Sequence, residues 1–324
     1  MGCVKLIESV SDPRFLISVI FITALIIFIT LLIRGNFAKQ HRFALFFIIF
    51  YILTFLPASN FFVTVGFVLA ERVLYLPSIA FCIIAISICD GIEEVTMKTK
   101  IGNILKLIIL IILLAKSYMR SMEWQNELDL YKSGLKVCPN NAKIYYNLAK
   151  IMADKGDISR ATVNYINAIR LNPTYENAMN NLANIYLKFD RNVEAEQLLL
   201  RAIEIKPNFA AAWMNVGLAQ LAQKRYKDAE NSFKQALSLR FPIYPSHKQA
   251  WLNLLILLDE TDNCAEVISL SHTVLRYHSK DASVLSQLAT CYGKLGQYGN
   301  AERFLLSALE LQPTTVIYWK NIGE

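Results

Sequence analysis

The feature that constrains this chain most is a spacing of 34 residues that runs through its second half. Tyr145, Leu148, Ala149, Ala161, Tyr165, Ala168 and Pro173 return as Met179, Leu182, Ala183, Ala195, Leu199, Ala202 and Pro207. A third copy follows with Trp213, Val216, Gly217, Ala229, Phe233 and Ala236. After a four-residue slip near residues 241–245, a degenerate copy carries Trp251 and Leu254, and Leu285, Leu288, Ala289, Tyr292, Ala301, Leu305, Ala308 and Pro313 restore the pattern. A unit this short cannot bury its own apolar face, so copies must stack on one another to build a shared core.

Small residues at two fixed positions, and a proline closing the units that end at Pro173, Pro207 and Pro313, describe paired antiparallel helices that pack closely and then stop. This is the tetratricopeptide pattern, and it predicts an all-α solenoid. The units fall at 142–175, 176–209, 210–243, 248–281 and 282–315, and a partial one opens at 316–324 with Trp319, Ile322 and Gly323. Residues 116–141 are expected to form a linker helix before the array.

One residue type recurs without an evident packing reason. Asn147, Asn181, Asn215, Asn253 and Asn321 occupy the same slot, and Gln287 fills it in the remaining unit. Asparagine is a mediocre helix former, so its return invites an explanation. In such a solenoid the first helices line the concave face, where carboxamides offer both a donor and an acceptor to a peptide backbone. These five are the candidate acceptor-peptide residues; local helix contacts are the competing explanation.

Composition separates the first part of the chain from the second. The chain is 54% hydrophobic and 18% charged, and residues 1–115 hold only 9 of its 33 Lys and Arg. Four apolar runs stand out there, at 15–33, 43–60, 73–89 and 101–115, with Lys106 interrupting the last. About 20 apolar residues cross a bilayer core as a helix, so these predict about four membrane spans ahead of the solenoid. Arg34, Lys39 and Arg42 mark the first connecting loop, Lys98 and Lys100 the third, and Arg72 alone the second. The positive-inside rule then places the first and third loops in the cytosol and the repeats on the opposite side.

Within "FVLAERVLYLPS" (67–78), Glu71 and Arg72 fall at that far boundary. They predict a helix start at the interface, with Arg72 snorkelling and Tyr75 at headgroup depth, or a site where the Arg72 guanidinium grips a lipid phosphate with Glu71 orienting it.

The strings "LPASNFF" (56–62), "VGFVLAERVLYLPS" (65–78) and "EWQNELDLYKSGLKVCPNNAKIYYNLAK" (123–150), followed by the repeats, resemble the transmembrane and tetratricopeptide-repeat O-mannosyltransferases of the endoplasmic reticulum. The resemblance implies a multi-pass membrane protein with lumenal repeats. It implies transfer of mannose from dolichyl phosphate mannose to Ser or Thr of acceptors such as cadherin-type domains, with no cofactor beyond that lipid-linked donor. It also implies that this chain corresponds to a shortened C-terminal portion. The family's acidic catalytic loop has no counterpart here, so no catalytic base is assigned, and a membrane-anchored adaptor without catalysis is the alternative.

Other chemistries are not supported. His41, His247, His272 and His278 show no metal spacing, and no phosphate-binding glycine loop occurs. The formal charge of +7 is spread without a basic cluster, which argues against nucleic acid as a partner. Cys3, Cys82, Cys89, Cys138, Cys264 and Cys291 show neither a CxxC pair nor a framework spacing; two of them lie in apolar runs, where a free thiol behaves as a small hydrophobe, and the six carry no information on redox compartment.

Overall fold

The computed structural model describes residues 39–56, 75–83, 100–239 and 245–323, together with helical positions 13, 15–17, 19–20, 23, 26–27 and 30. It divides into two compact units, Met1–Asn141 and Ala142–Glu324. Every regular element among the described residues is helical.

The first unit contains α1 (Lys39–Phe55), a helical stretch at 75–83, α2 (Lys100–Glu123) and α3 (Glu127–Val137). Asn126 caps α3, its side chain accepting the Asp129 amide at 2.9 Å. Arg120 joins the two last helices: it pairs with Glu123, and its Nη1 donates to Ser133 Oγ at 3.2 Å. That pairing, foremost the hydrogen bond from Arg120, holds the Glu123 carboxyl below its usual range.

The expected spans find no support among the described residues, where no helix is long and apolar enough to cross a membrane. With 17 residues, α1 reaches only about 26 Å against a hydrocarbon core of about 30 Å. In α2 the stretch between Lys106 and Lys116 rises about 13 Å. About half of the runs 15–33 and 73–89 lies outside the described residues, as do Glu71 and Arg72. What α2 does show is an apolar girth. Leu107, Ile108, Ile109 and Leu110 follow one another and are each about half exposed, a pattern that seeks burial in lipid or protein.

The second unit is the repeat array. Its pairs are α4 (Ala142–Asp154) with α5 (Ile158–Leu171), α6 (Glu176–Lys188) with α7 (Asn192–Ile205), and α8 (Ala210–Ala222) with α9 (Tyr226–Ser238). Two more follow, α10 (Pro245–Glu260) with α11 (Cys264–His278) and α12 (Ala282–Lys294) with α13 (Tyr298–Leu311), and α14 (Val316–Gly323) opens a further unit. The small residues sit where the pairs cross: Ala149, Ala161, Ala183, Ala195, Ala229 and Ala289 are all 0–1% exposed. At Gly217 the fit is closest, since a Cβ there would lie 2.5 Å from the Phe233 ring.

Each pair turns through one residue with positive φ: Gly156, Asp190, Lys224, Asp262 and Gly296, at +56° to +80°. That left-handed conformation closes the first helix before the second begins. The proline that ends a pair also sets the next one, because Trp213 Nε1 donates to the Pro207 carbonyl and Trp319 Nε1 to that of Pro313, both at 3.1 Å.

Candidate functional site

The asparagine stripe lies on the first helix of each pair, and the structure shows where its carboxamides go. Asn215 is 3% exposed, and its Nδ2 donates to Asn180 Oδ1 at 2.9 Å. Asn180 Nδ2 reaches Asn181 Oδ1 at 3.4 Å, and Asn181 Nδ2 donates to the hydroxyl oxygens of Tyr146 and Tyr165, each at 3.3 Å. A relay of amides therefore runs from α8 through α6 to α4 and α5, linking three repeats.

Tyr146 stands between Tyr165 and Tyr175, with ring centroids 6.0 and 5.0 Å away. Burial, then the neighbouring Tyr146 and Glu176, push the Tyr175 phenol up to about 12. Burial raises Tyr165 too, against the lowering effect of the Asn181 hydrogen bond. These hydroxyls therefore stay neutral at physiological pH.

The other members of the stripe differ. Asn253 is buried; its Oδ1 accepts from Gln249 at 2.9 Å, while its Nδ2 has no hydrogen-bond partner. Asn147 and Asn321 stand half-buried on α4 and α14. Gln287, in the same slot, donates to Asp259 Oδ2 of the preceding pair at 3.0 Å. Burial thus places Asn215 and Asn253 out of reach of a bound peptide and assigns the Asn215 amide to packing between repeats. The donor-phosphate candidates, Arg72 and Glu71, lie outside the described residues.

Two polar centres were not visible in the spacing. Glu196, on α7, is 8% exposed and accepts from Gln220 at 3.0 Å, Gln223 at 2.8 Å and Arg225, whose Nη1 reaches both oxygens at 2.9 and 2.8 Å. Burial pushes this carboxyl up, but the hydrogen bonds from Gln223, Gln220 and Arg225 outweigh it and hold it below the usual range. Ser232 Oγ completes the network by donating to Gln220 Oε1 at 2.7 Å. The centre ties the second repeat to the third.

Asp259, at the end of α10, forms the second centre. Its Oδ1 pairs with Lys294 Nζ at 2.7 Å, and beside it Cys264 and Cys291 form a disulfide. The spacing of these cysteines along the chain gave no sign of this bond. They are 27 residues apart on successive repeats, and only the stacking of the helices brings their Cα atoms to 5.0 Å. A signal was present in hindsight, because Cys264 and Cys291 lie on consecutive helices of a stacked array, α11 and α12, which must touch.

Residues 130–162, 152–216, 210–241 and 282–315 match the tetratricopeptide repeat. A protein O-mannosyl-transferase of Caenorhabditis elegans is 43% identical over 176 residues, covering 54% of this chain and 24% of that protein. Human protein O-mannosyl-transferase TMTC3 is 29% identical over 334 residues, covering 97% of this chain and 35% of its own length. The chain is homologous to the TMTC family of protein O-mannosyl-transferases. It spans about a quarter to a third of the length of these two relatives. Among solved structures, Pseudomonas aeruginosa PilF superposes with a TM-score of 0.52 at 20% identity, over 65% of this chain and 93% of that one, a likeness of fold alone.

Proposed function

We propose that this chain is part of an endoplasmic-reticulum O-mannosyltransferase in which an apolar membrane portion handles a lipid-linked sugar and the lumenal repeats hold the acceptor protein. The observation that carries this reading is the 43% identity, over 176 residues, to a protein O-mannosyl-transferase. In the reaction, the bond from the sugar's anomeric carbon to the phosphate of dolichyl phosphate mannose breaks. A bond forms to a Ser or Thr oxygen, the hydroxyl proton passes to a base, and dolichyl phosphate leaves. Such a step needs cationic donors around the departing phosphate.

Arg72 is the residue we assign to that phosphate, because a guanidinium fork matches two phosphate oxygens at once, with Glu71 holding it in position. On the repeats, Asn147 and Asn321, the half-buried members of the stripe outside the amide relay, are those offered to an acceptor such as a cadherin-type domain. The buried Cys264–Cys291 disulfide supports a lumenal place for the array, since such bonds persist in oxidising compartments.

The test is made in the complete membrane protein. Arg72→Ala is expected to abolish mannosyl transfer to a purified acceptor domain while acceptor capture persists; unchanged transfer rejects the phosphate role. Topology is read separately with Lys155→Asn and Asp157→Thr. These changes create a glycosylation sequon around Gly156, keep the glycine its positive φ requires, and leave Thr to cap α5 where Asp157 now accepts the Arg160 amide. Modification of the sequon is expected, and its absence would count against lumenal repeats.

A second reading is a tethered adaptor. It is favoured by the matched families being repeat modules, which bind through extended surfaces. Acceptor capture without any transfer by the complete wild-type protein would select it.

A further inference from the structure

The fourth repeat departs from the others where its helices press together. The facing pair is Ala149 with Ala161 in the first repeat, Ala183 with Ala195 in the second, Gly217 with Ala229 in the third and Ala289 with Ala301 in the fifth. In the fourth it is Leu255 with Val267, both fully buried. Larger side chains at a crossing hold the helix axes further apart. The same repeat lacks the closing proline, α11 running out through His278 and Ser279, and the tetratricopeptide matches stop at residue 241 and resume at 282.

At this repeat stands the disulfide. Cys264 opens α11 and Cys291 lies in α12, so the bond ties the second helix of the fourth repeat to the first helix of the fifth. Both are buried, at 3% and 0% exposure, in a core shared with Leu255, Leu258, Val267, Val284 and Leu288. Asp259 brings in the end of α10, its Oδ1 lying 3.3 and 3.5 Å from the two sulfurs.

Asp259, Cys264 and Cys291 also have the composition of a metal centre, their ligand atoms all lying within 4.8 Å of one another. The carboxylate, however, is already committed, Oδ1 to Lys294 and Oδ2 to Gln287, and a cation would have to displace the Lys294 ammonium. With the sulfurs joined to each other, neither offers a thiolate to a cation.

We propose that Cys264–Cys291 is a redox staple that fastens α11 to the fifth repeat and so offsets its loosened pairing with α10 inside the fourth. The rigidity of the C-terminal repeats is then conditional on oxidation. In forming, the two thiols lose two protons and two electrons to a disulfide-bearing oxidoreductase, whose own disulfide becomes a dithiol. A dithiol reductant reverses the exchange. Because both sulfurs are buried, exchange requires α11 and α12 to part first, so the bond resists small reductants while the repeats stay closed. This device stands whether or not the chain takes part in sugar transfer.

The test compares amide hydrogen exchange in the whole protein, purified in detergent, before and after reduction with dithiothreitol under mild denaturant, alongside C264A/C291A. The cross-link closes a loop of 27 residues, which makes opening of that segment roughly 400-fold less favourable. Reduction is therefore expected to speed exchange in α11 and α12 by about that factor while α4–α7 stay unchanged. Non-reducing peptide maps should join the peptides containing Cys264 and Cys291. Alkylation of both thiols in the untreated protein, a stoichiometric zinc ion, or equal exchange in the oxidised and reduced forms would each overturn the proposal. Reduction of the wild-type sequence carries the test should the double variant fail to fold.

Discussion

Gly217 offers the sharpest test of the repeat packing, because one substitution there should change sign with its neighbour. A Cβ added at this position would lie 2.5, 2.6 and 2.9 Å from three atoms of the Phe233 ring. Carbon atoms in contact prefer 3.5–4.0 Å, so the ring must retreat by about 1 Å. It has little room, being fully buried in a core with Leu254, Leu255 and Leu258. Overpacking of this kind costs about 1–3 kcal/mol, against about 1 kcal/mol gained by replacing a mid-helix glycine with alanine. Gly217→Ala is therefore expected to be neutral to destabilising, by up to about 2 kcal/mol.

In a Phe233→Ala background, itself about 3–5 kcal/mol less stable, the clash is gone and only the gain remains. Gly217→Ala should then stabilise by about 1 kcal/mol, giving a coupling energy of about 1–3 kcal/mol between the two sites. Urea denaturation followed by tryptophan fluorescence closes the four-variant cycle, and Trp213 on the same helix reports directly. If Gly217→Ala raised stability equally in both backgrounds, the close approach would have no energetic meaning and the reasoning would fail.

Two further outcomes are expected from the array. Lys224→Gly should raise stability by about 1 kcal/mol in the same denaturation, because Lys224 holds φ of +60° where a side chain is strained and the equivalent residues Gly156 and Gly296 are not; no gain would mean that the turn is not under strain. Glu196 predicts an acid limb. Its carboxyl sits below its ordinary value of 4.5 in the folded chain, so the stability it contributes is complete above pH 4.5 and is lost as pH falls through the lowered folded value. Wild type and Glu196→Gln should therefore converge in urea midpoint as pH falls from 7 to 3, and parallel curves would remove Glu196 from the account.

Much of the array was legible because many positions must agree at once for helix pairs to stack. Ala161, Ala195 and Ala229 could each be placed at a crossing before any coordinate was known, as could the ends at Pro173 and Pro207. Purpose was harder to read than place. The stripe of Asn147, Asn181, Asn215, Asn253 and Asn321 is visible in the sequence, but whether an amide faces a ligand or a neighbour depends on what the adjoining repeat brings to it. Asn180, a residue outside the repeated pattern, is what commits Asn215 inward. The pairing of Cys264 with Cys291 escaped spacing rules because those rules describe loops of small stapled domains, whereas here two stacked helices set the distance. In the apolar part, hydropathy marks where charge is scarce but not how far one helix continues, and α1 ends at Phe55 where the run of low charge does not.

The amide relay has a consequence for how such an array can change over time. Modular proteins are often pictured as strings whose beads can be duplicated, deleted or exchanged. Here the Asn215–Asn180–Asn181–Tyr146 chain makes each of the first three beads complete only in the company of a particular neighbour. Moving the third unit next to a foreign one would strand a buried amide, so the first three units are expected to be inherited as a block and variation in unit number to fall elsewhere along the chain.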